Sequence, residues 1–180
     1  MKLDPIVFWE SVDTIAHDIF FDGTRDDYPY TVEAWGNASK KRALKIEDPQ
    51  ASTFGFVFSD GAVIIRNIGG SKFKLSLAAG MFFSCPGVFQ IRGGSGFVAI
   101  VINDNKPKSR QGKRNCKCIF NVGGPIEEDG NGHLTGMLAY IDGCSDSILI
   151  HPPILGAPCL NHLHFPSGIK QTQHTHPSGE

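Results

Sequence analysis

The chain contains no apolar stretch approaching the roughly 20 residues that cross a bilayer, and so offers no candidate membrane helix. A secretory signal is also missing. The opening MKLDPIVFWESVD carries acids at Asp4, Glu10 and Asp13 and lacks a basic start, an unbroken apolar run and a small-residue cleavage site. A cytoplasmic protein with no membrane partner is expected. Neither sign of charge is in excess: 17 Lys and Arg stand against 18 Asp and Glu, a net charge of -1. That balance gives no global basic field for nucleic acid, and none is expected as a partner. Cysteine is scarce. Cys85, Cys116, Cys118, Cys144 and Cys159 are odd in number and irregularly spaced, which favours reduced thiols over a disulfide framework.

What is present describes a globular protein. A length of 180 residues with 41% hydrophobic and 19% charged content suits one ordinary domain, or one domain and part of another, with a real core. Asp4-Pro5 makes an N-cap and first-turn pair. Phe8, Trp9, Val12, Ile15, Ala16 and Ile19 then recur at helical spacing until Asp22-Gly23, so a short amphipathic helix is expected to open the chain and pack on the domain's own sheet.

From Thr53 to Asn103 the texture changes to short apolar runs broken by turn residues: FGFVFS, AVIIRNI, KFKLSLA, MFFSC, VFQIR and GFVAIVIN. These read as strands of an antiparallel sandwich or barrel. Asp60-Gly61 is a hairpin signal, and Gly69-Gly70-Ser71 and Gly93-Gly94-Ser95-Gly96 are loop signals. No helix follows Gly96 to present its N-terminus to a phosphate. Residues 105–132 look like a connector, basic from Lys106 to Lys117 with no interleaved aromatic, then acidic at Glu127-Glu128-Asp129. Cys116 and Cys118 would share one face of a surface strand, without the second pair of thiols that structural zinc needs. Strand-like segments return in HLTGMLAYID, SILIHPP and LNHLHFP.

The chemistry gathers at the end, in Gly168 to Glu180, GIKQTQHTHPSGE. On a strand His174 and His176 face the same way, and the turn favoured by Pro177-Ser178-Gly179 lets Glu180 swing back toward them. Two histidines and a carboxylate are the set that non-haem iron oxygenases present to Fe(II), and the same set suits Mn, Ni or Zn. His162 and His164 repeat the His-x-His spacing, but no carboxylate follows them at a useful distance. His17, His133 and His151 stand alone and read as structural.

Gly168, five residues, His174-x-His176, three residues and Glu180 resembles the first signature motif of the cupin superfamily. The segment from FGFVFSDG to GFVAIVI is similar to the body of another cupin, with Gly61 closing its first motif and Gly80 to Pro86 opening its second. Counted from these marks, the ligand positions of that first barrel fall on Asp48, Gln50, Phe54 and Ile91. A barrel with those residues is expected to be a metal-free packing unit. The resemblance therefore implies an all-β, bicupin-like chain. A short N-terminal helix and a degenerate cupin jelly roll, or double-stranded β-helix barrel, would occupy 1–104, a basic connector 105–132, and a partial second cupin 133–180, cut off after its first motif.

The function implied is metal binding by His174, His176 and Glu180. The divalent transition metal, Fe, Mn, Ni or Zn, would be held weakly because the family's third histidine is missing. Such a protein would be a small-molecule dioxygenase, its substrate not readable from the sequence. The alternative is a non-enzymatic cupin module that binds a small molecule, for example a sugar, or serves assembly. A homodimer is expected, because the strands from His133 to His176 would leave unpaired edges and half-covered side chains such as Leu149, Ile150, Leu163 and Phe165. The tail covering the first barrel of its own chain is the alternative to that dimer.

Overall fold

A computed structural model describes residues 17–22, 30–36, 43–102, 118–126, 138–152 and 159–172, with 17–22 and 102 described by their backbone alone. Regular structure among them is almost entirely strand. Ten strands build the main body: β1 (His17–Asp22), β2 (Tyr30–Trp35), β3 (Leu44–Ile46), β4 (Ala51–Ser59), β5 (Ala62–Ile68), β6 (Ser71–Leu77), β7 (Phe82–Pro86), β8 (Phe89–Arg92), β9 (Ser95–Ile102) and β10 (Asn121–Gly123). They form two antiparallel sheets, in the orders β1-β2-β9-β4-β7-β10 and β3-β8-β5-β6.

The order follows from one nested long hairpin. β5 pairs with β6, β4 with β7, β3 with β8 and β2 with β9, each pair enclosing the one before. Folding that ribbon over brings β9 beside β4 and β8 beside β5. Eight strands wound this way are a jelly roll, and the all-β, antiparallel expectation holds. The helical periodicity before Asp22 does not hold for its last six residues. His17–Asp22 is a strand paired with β2, and the start of that pattern, at Asp4-Pro5, lies outside the described residues.

The turns sort differently from their sequence signals. Gly69 and Gly70, at φ 56 and 82, form the tight two-residue hairpin between β5 and β6, where positive φ at both central positions matches the twist of the strands. Asp60-Gly61 joins β4 to β5, which lie in different sheets, so it is a crossing between layers and not a hairpin.

Alternation along each strand decides what it buries. In β6 the lysines 72 and 74 face solvent while Phe73, Leu75 and Leu77 face inward, which also protects this edge from pairing with another chain. β4 is buried on both faces from Ala51 to Val57. One face enters the barrel core with Ile64, Phe83, Phe89, Ile91 and Val98, and the other lies beneath Cys118 and Ile150. Three glycines take up crowding between strands. Gly55, Gly96 and Gly123 each stand directly opposite an aromatic residue, Phe83, Trp35 and Phe82, whose ring covers the glycine Cα.

Residues 118–126, within the stretch read as a connector, lie along the barrel. Ser52 Oγ accepts from the Cys118 amide at 2.9 Å, Ser84 Oγ donates to the Ile119 carbonyl at 2.7 Å, and β10 extends the larger sheet beyond β7. Cys118 is thus buried rather than on a surface strand. Beyond it, β11 (Leu138–Ala139), a 3-10 turn at Ile141–Gly143, β12 (Ser145–Ile150) and β13 (Leu160–His164) make a small antiparallel sheet. Ile150, Leu149 and Leu160 seat it on Phe54, Phe82 and Val101 of the barrel's outer face.

Candidate functional site

His174, His176 and Glu180 lie outside the described residues. The chain leading to them is described, and two contacts fix its course. Pro166 to Ile169 is a turn closed by Ile169 N donating to the Pro166 carbonyl at 3.2 Å, with Gly168 at φ 82 in its third position, where a Cβ would strain the backbone. Thr172 then donates to the Asp142 carboxylate through both its amide, at 2.6 Å, and its hydroxyl. The glycine of the motif therefore marks a real reversal, and Asp142 tethers the chain two residues before His174.

His162 and His164 occupy one face of β13, opposite Ser147 and Ser145 of β12. Burial pushes the His162 imidazole below the ordinary histidine range, the neighbouring His164 lowers it further, and Asp146 opposes both. The buried Nδ1 of His162 has no hydrogen-bond partner among the described residues. Two imidazoles without a third donor are not a metal centre, and no cluster of three His, Cys, Asp or Glu that could hold a metal occurs among the described residues.

The four positions counted from the cupin motifs in the first barrel are not brought together. β3 ends at Ile46, and Asp48 lies in the following turn, its carboxylate accepting from the Gln50 amide at 2.7 Å. Gln50 is exposed, Phe54 points out of the barrel into the cluster with Cys118 and Ile150, and Ile91 points inward. The inward residues of β3 are Leu44 and Ile46.

One polar group inside the barrel was missed altogether. In AVIIRNI the inward row is Ala62, Ile64 and Arg66, and a charged residue on the apolar parity of a strand was the available signal. Arg66 Nη1 lies 3.7 Å from Cys85 Sγ, and its guanidinium stands over the Phe120 ring, 5.9 Å from the centroid. Phe120 in turn packs edge-on against Phe73. Thr53, directly across from Cys85 on β4, is fully buried. Neither Arg66 Nε nor Thr53 Oγ1 has a hydrogen-bond partner among the described residues. Desolvation pushes the Cys85 thiol up to about 12 despite the Arg66 charge beside it, so it stays protonated. Cys118, on the opposite face of the sheet, is raised for the same first reason.

No protein-family profile and no curated protein matches the chain. Among solved structures it is similar to oxalate decarboxylase of Bacillus subtilis. One such structure, concerned with the enzyme's Mn(II) centres, is 14% identical at a TM-score of 0.35, over 48% of this chain and 24% of that one. Another, determined at pH 4.6, is 11% identical at a TM-score of 0.33, over 53% of this chain and 26% of that one. The chain thus spans about a quarter of the length of these structures. The jelly-roll assignment rests on the strand order itself.

Proposed function

We propose that the chain is a metal-binding cupin, with His174, His176 and Glu180 holding a divalent transition metal and a small molecule as its ligand. The observation that carries this reading is the spacing of Gly168, His174, His176 and Glu180, supported by the jelly-roll order of the barrel and by the turn at Gly168. The donor set fits the metal class: two neutral imidazoles and one carboxylate suit Fe, Mn, Ni or Zn. A metal held there would supply Lewis acidity and, for iron, dioxygen chemistry, and a small-molecule dioxygenase is the activity that set best matches.

The non-enzymatic reading keeps one observation in its favour. The first barrel is filled by apolar side chains such as Phe83, Phe89, Ile64 and Ile91, as a packing or binding unit would be. In both readings the chain pairs with a second copy through the outer face of the β11-β12-β13 sheet. Calorimetric titration with Mn²⁺ and Zn²⁺ tests the metal site. Binding should occur and should be lost in the His174→Ala, His176→Ala double variant; binding unchanged in that variant would place the metal elsewhere and end the proposal.

A further inference from the structure

We propose that the open edge of β6 binds an extended acidic segment of a partner protein, whose acids at alternate positions pair with Lys72 and Lys74. None of the residues on this edge belongs to the metal site proposed above.

Charge is divided unevenly between the two sheets of the barrel. The strands of the larger sheet carry Asp18, Asp22 and Glu33 and no Lys or Arg. Those of the smaller sheet carry Lys45, Arg66, Lys72, Lys74 and Arg92 and no Asp or Glu. The net charge of -1 for the whole chain hides this local excess. Arg66 is turned inward against Cys85 and Phe120. Lys72 and Lys74 are exposed on the outer face, and no ion pair or hydrogen bond holds either of them among the described residues. Glu47 follows β3, at the far side of the sheet, and Asp60 accepts from the Ala79 amide at 2.8 Å beyond the end of β6.

The same strand is an edge. β6 pairs with β5 from Ser71 to Leu77 on one side and with no strand on the other among the described residues, so a row of backbone donors and acceptors is left for a further strand. Its inward side chains report the same opening. Phe73 and Leu75 are only half-buried, although Ile64, directly across from Leu75 on β5, is fully buried. A strand laid beside β6 would present alternate residues to the two faces. Those on the outer face would stand opposite Lys72 and Lys74, which lie about 6.8 Å apart, the spacing of residues i and i+2 in any extended chain. Opposite charges placed there stabilise the pairing. The residues between them would turn inward beside Phe73, Leu75 and the Phe120 ring that packs on Phe73, and so would be apolar. The lysines select the occupant. A second copy of β6 would set lysine against lysine, and none of the described strands has acids at alternate positions, so the segment belongs to another protein. No aromatic side chain stands on the outer face of this sheet for bases to stack on, which disfavours a nucleic acid strand.

The probe is a fluorescein-labelled peptide, Ser-Glu-Val-Glu-Val-Glu-Ser, capped at both ends and followed by anisotropy with the full chain. It should bind saturably, and more weakly as salt is raised, whereas the same peptide with Lys in place of Glu should not bind. The Lys72→Glu, Lys74→Glu double variant should bind the acidic peptide roughly 10-fold more weakly or worse. That variant should now take the lysine peptide, which also shows that it is folded. Methylating the backbone nitrogen of every second residue removes the donors along one side of the extended peptide. One of the two alternate sets should abolish binding and the other should leave it intact; tolerance of both sets would reduce the contact to charge alone and overturn the proposal. It would equally be overturned by absence of saturable binding to the wild-type chain, or by full affinity in the double variant. Tighter binding of an oligonucleotide or of phosphatidylserine vesicles through the same lysines would also overturn it.

Discussion

Gly55 lies directly beneath the ring of Phe83, so close that a Cβ on residue 55 would stand 2.3 Å from Cζ and 2.4 Å from Cε1. The two are cross-strand partners on β4 and β7, inside the barrel where Phe83 is fully buried. The ring fills the space that a side chain on β4 would occupy, and the absence of that side chain lets the ring lie flat across the strand. Trp35 does the same over Gly96, and its indole Nε1 also donates to the Gly93 carbonyl at 3.0 Å, fixing the ring.

Gly55→Ala should therefore destabilise the chain by about 1–3 kcal/mol, the usual cost of overpacking a close-packed core. Pairing it with Phe83→Leu should give a loss smaller than the sum of the two single losses, because the smaller side chain vacates the space. Urea unfolding of the four chains measures this. Additive losses would show that the ring and the glycine are not coupled.

Strand texture was legible between Thr53 and Asn103 because alternation is local, and a sheet half exposed to solvent writes it directly into the sequence. The winding was not legible in the same way. Asp60-Gly61 reports that the chain reverses but not which strand it meets afterwards, and in a nested fold β4 pairs with β7 and β9, far along the chain. The expected helix was carried too far at its end because Ile19 fits a 3.6-residue period, whereas HDIFFD pairs with β2 as a strand. Tertiary pairing outweighs so weak a preference. Of the candidate site, the motif from Gly168 to Glu180 was visible from spacing alone. Arg66 was visible only as a charge of the wrong parity, and Cys118 not at all, since the residues that bury it belong to other strands.

The buried Cys85 thiol gives a prediction at alkaline pH. Its folded-state pKa is raised from 9.0 to about 12, chiefly by burial, so the folded chain keeps a proton that the unfolded chain gives up. The stability this thiol contributes is full below pH 9 and is lost as pH rises from 9 toward 12. Cys85→Ala should remove that part of the loss, so that the variant's urea midpoint falls less steeply than the wild type's between pH 9 and 12. In the folded chain at pH 8, Cys85 and Cys118 should also resist a thiol reagent. Rapid labelling of Cys85 would contradict the packing described for it.

His162 works in the opposite direction. Its pKa is lowered by burial first and by His164 second, so below the ordinary histidine value of about 6.5 the unfolded chain takes up a proton that the folded chain resists. Unfolding then binds protons, and stability falls as pH drops below that value. His162→Gln should flatten the dependence of the urea midpoint between about pH 5 and 7. An identical slope in the variant would assign the acid sensitivity to other groups.

The outer face of the small sheet is the surface through which two copies are expected to pair. Of the four side chains expected from the sequence to be half-covered, Ile150 is buried and Leu149 packs against the barrel, so the sheet does cover part of its own chain. Leu163 and Phe165 remain 41% and 50% exposed, and Leu138, in one cross-strand row with Asp146 and Leu163, is 57% exposed. Ile148 adds to the same face. Exposed apolar side chains around Asp146 on three strands are costly in water, and a two-fold contact covers them on both copies at once. Light scattering at tens of micromolar should give a mass near twice 19.6 kDa, falling to 19.6 kDa in the Leu163→Asp, Phe165→Ser double variant. Circular dichroism of that variant should still show a folded β protein, since both side chains lie outside the two cores. A wild-type mass of 19.6 kDa at that concentration would rule the pairing out.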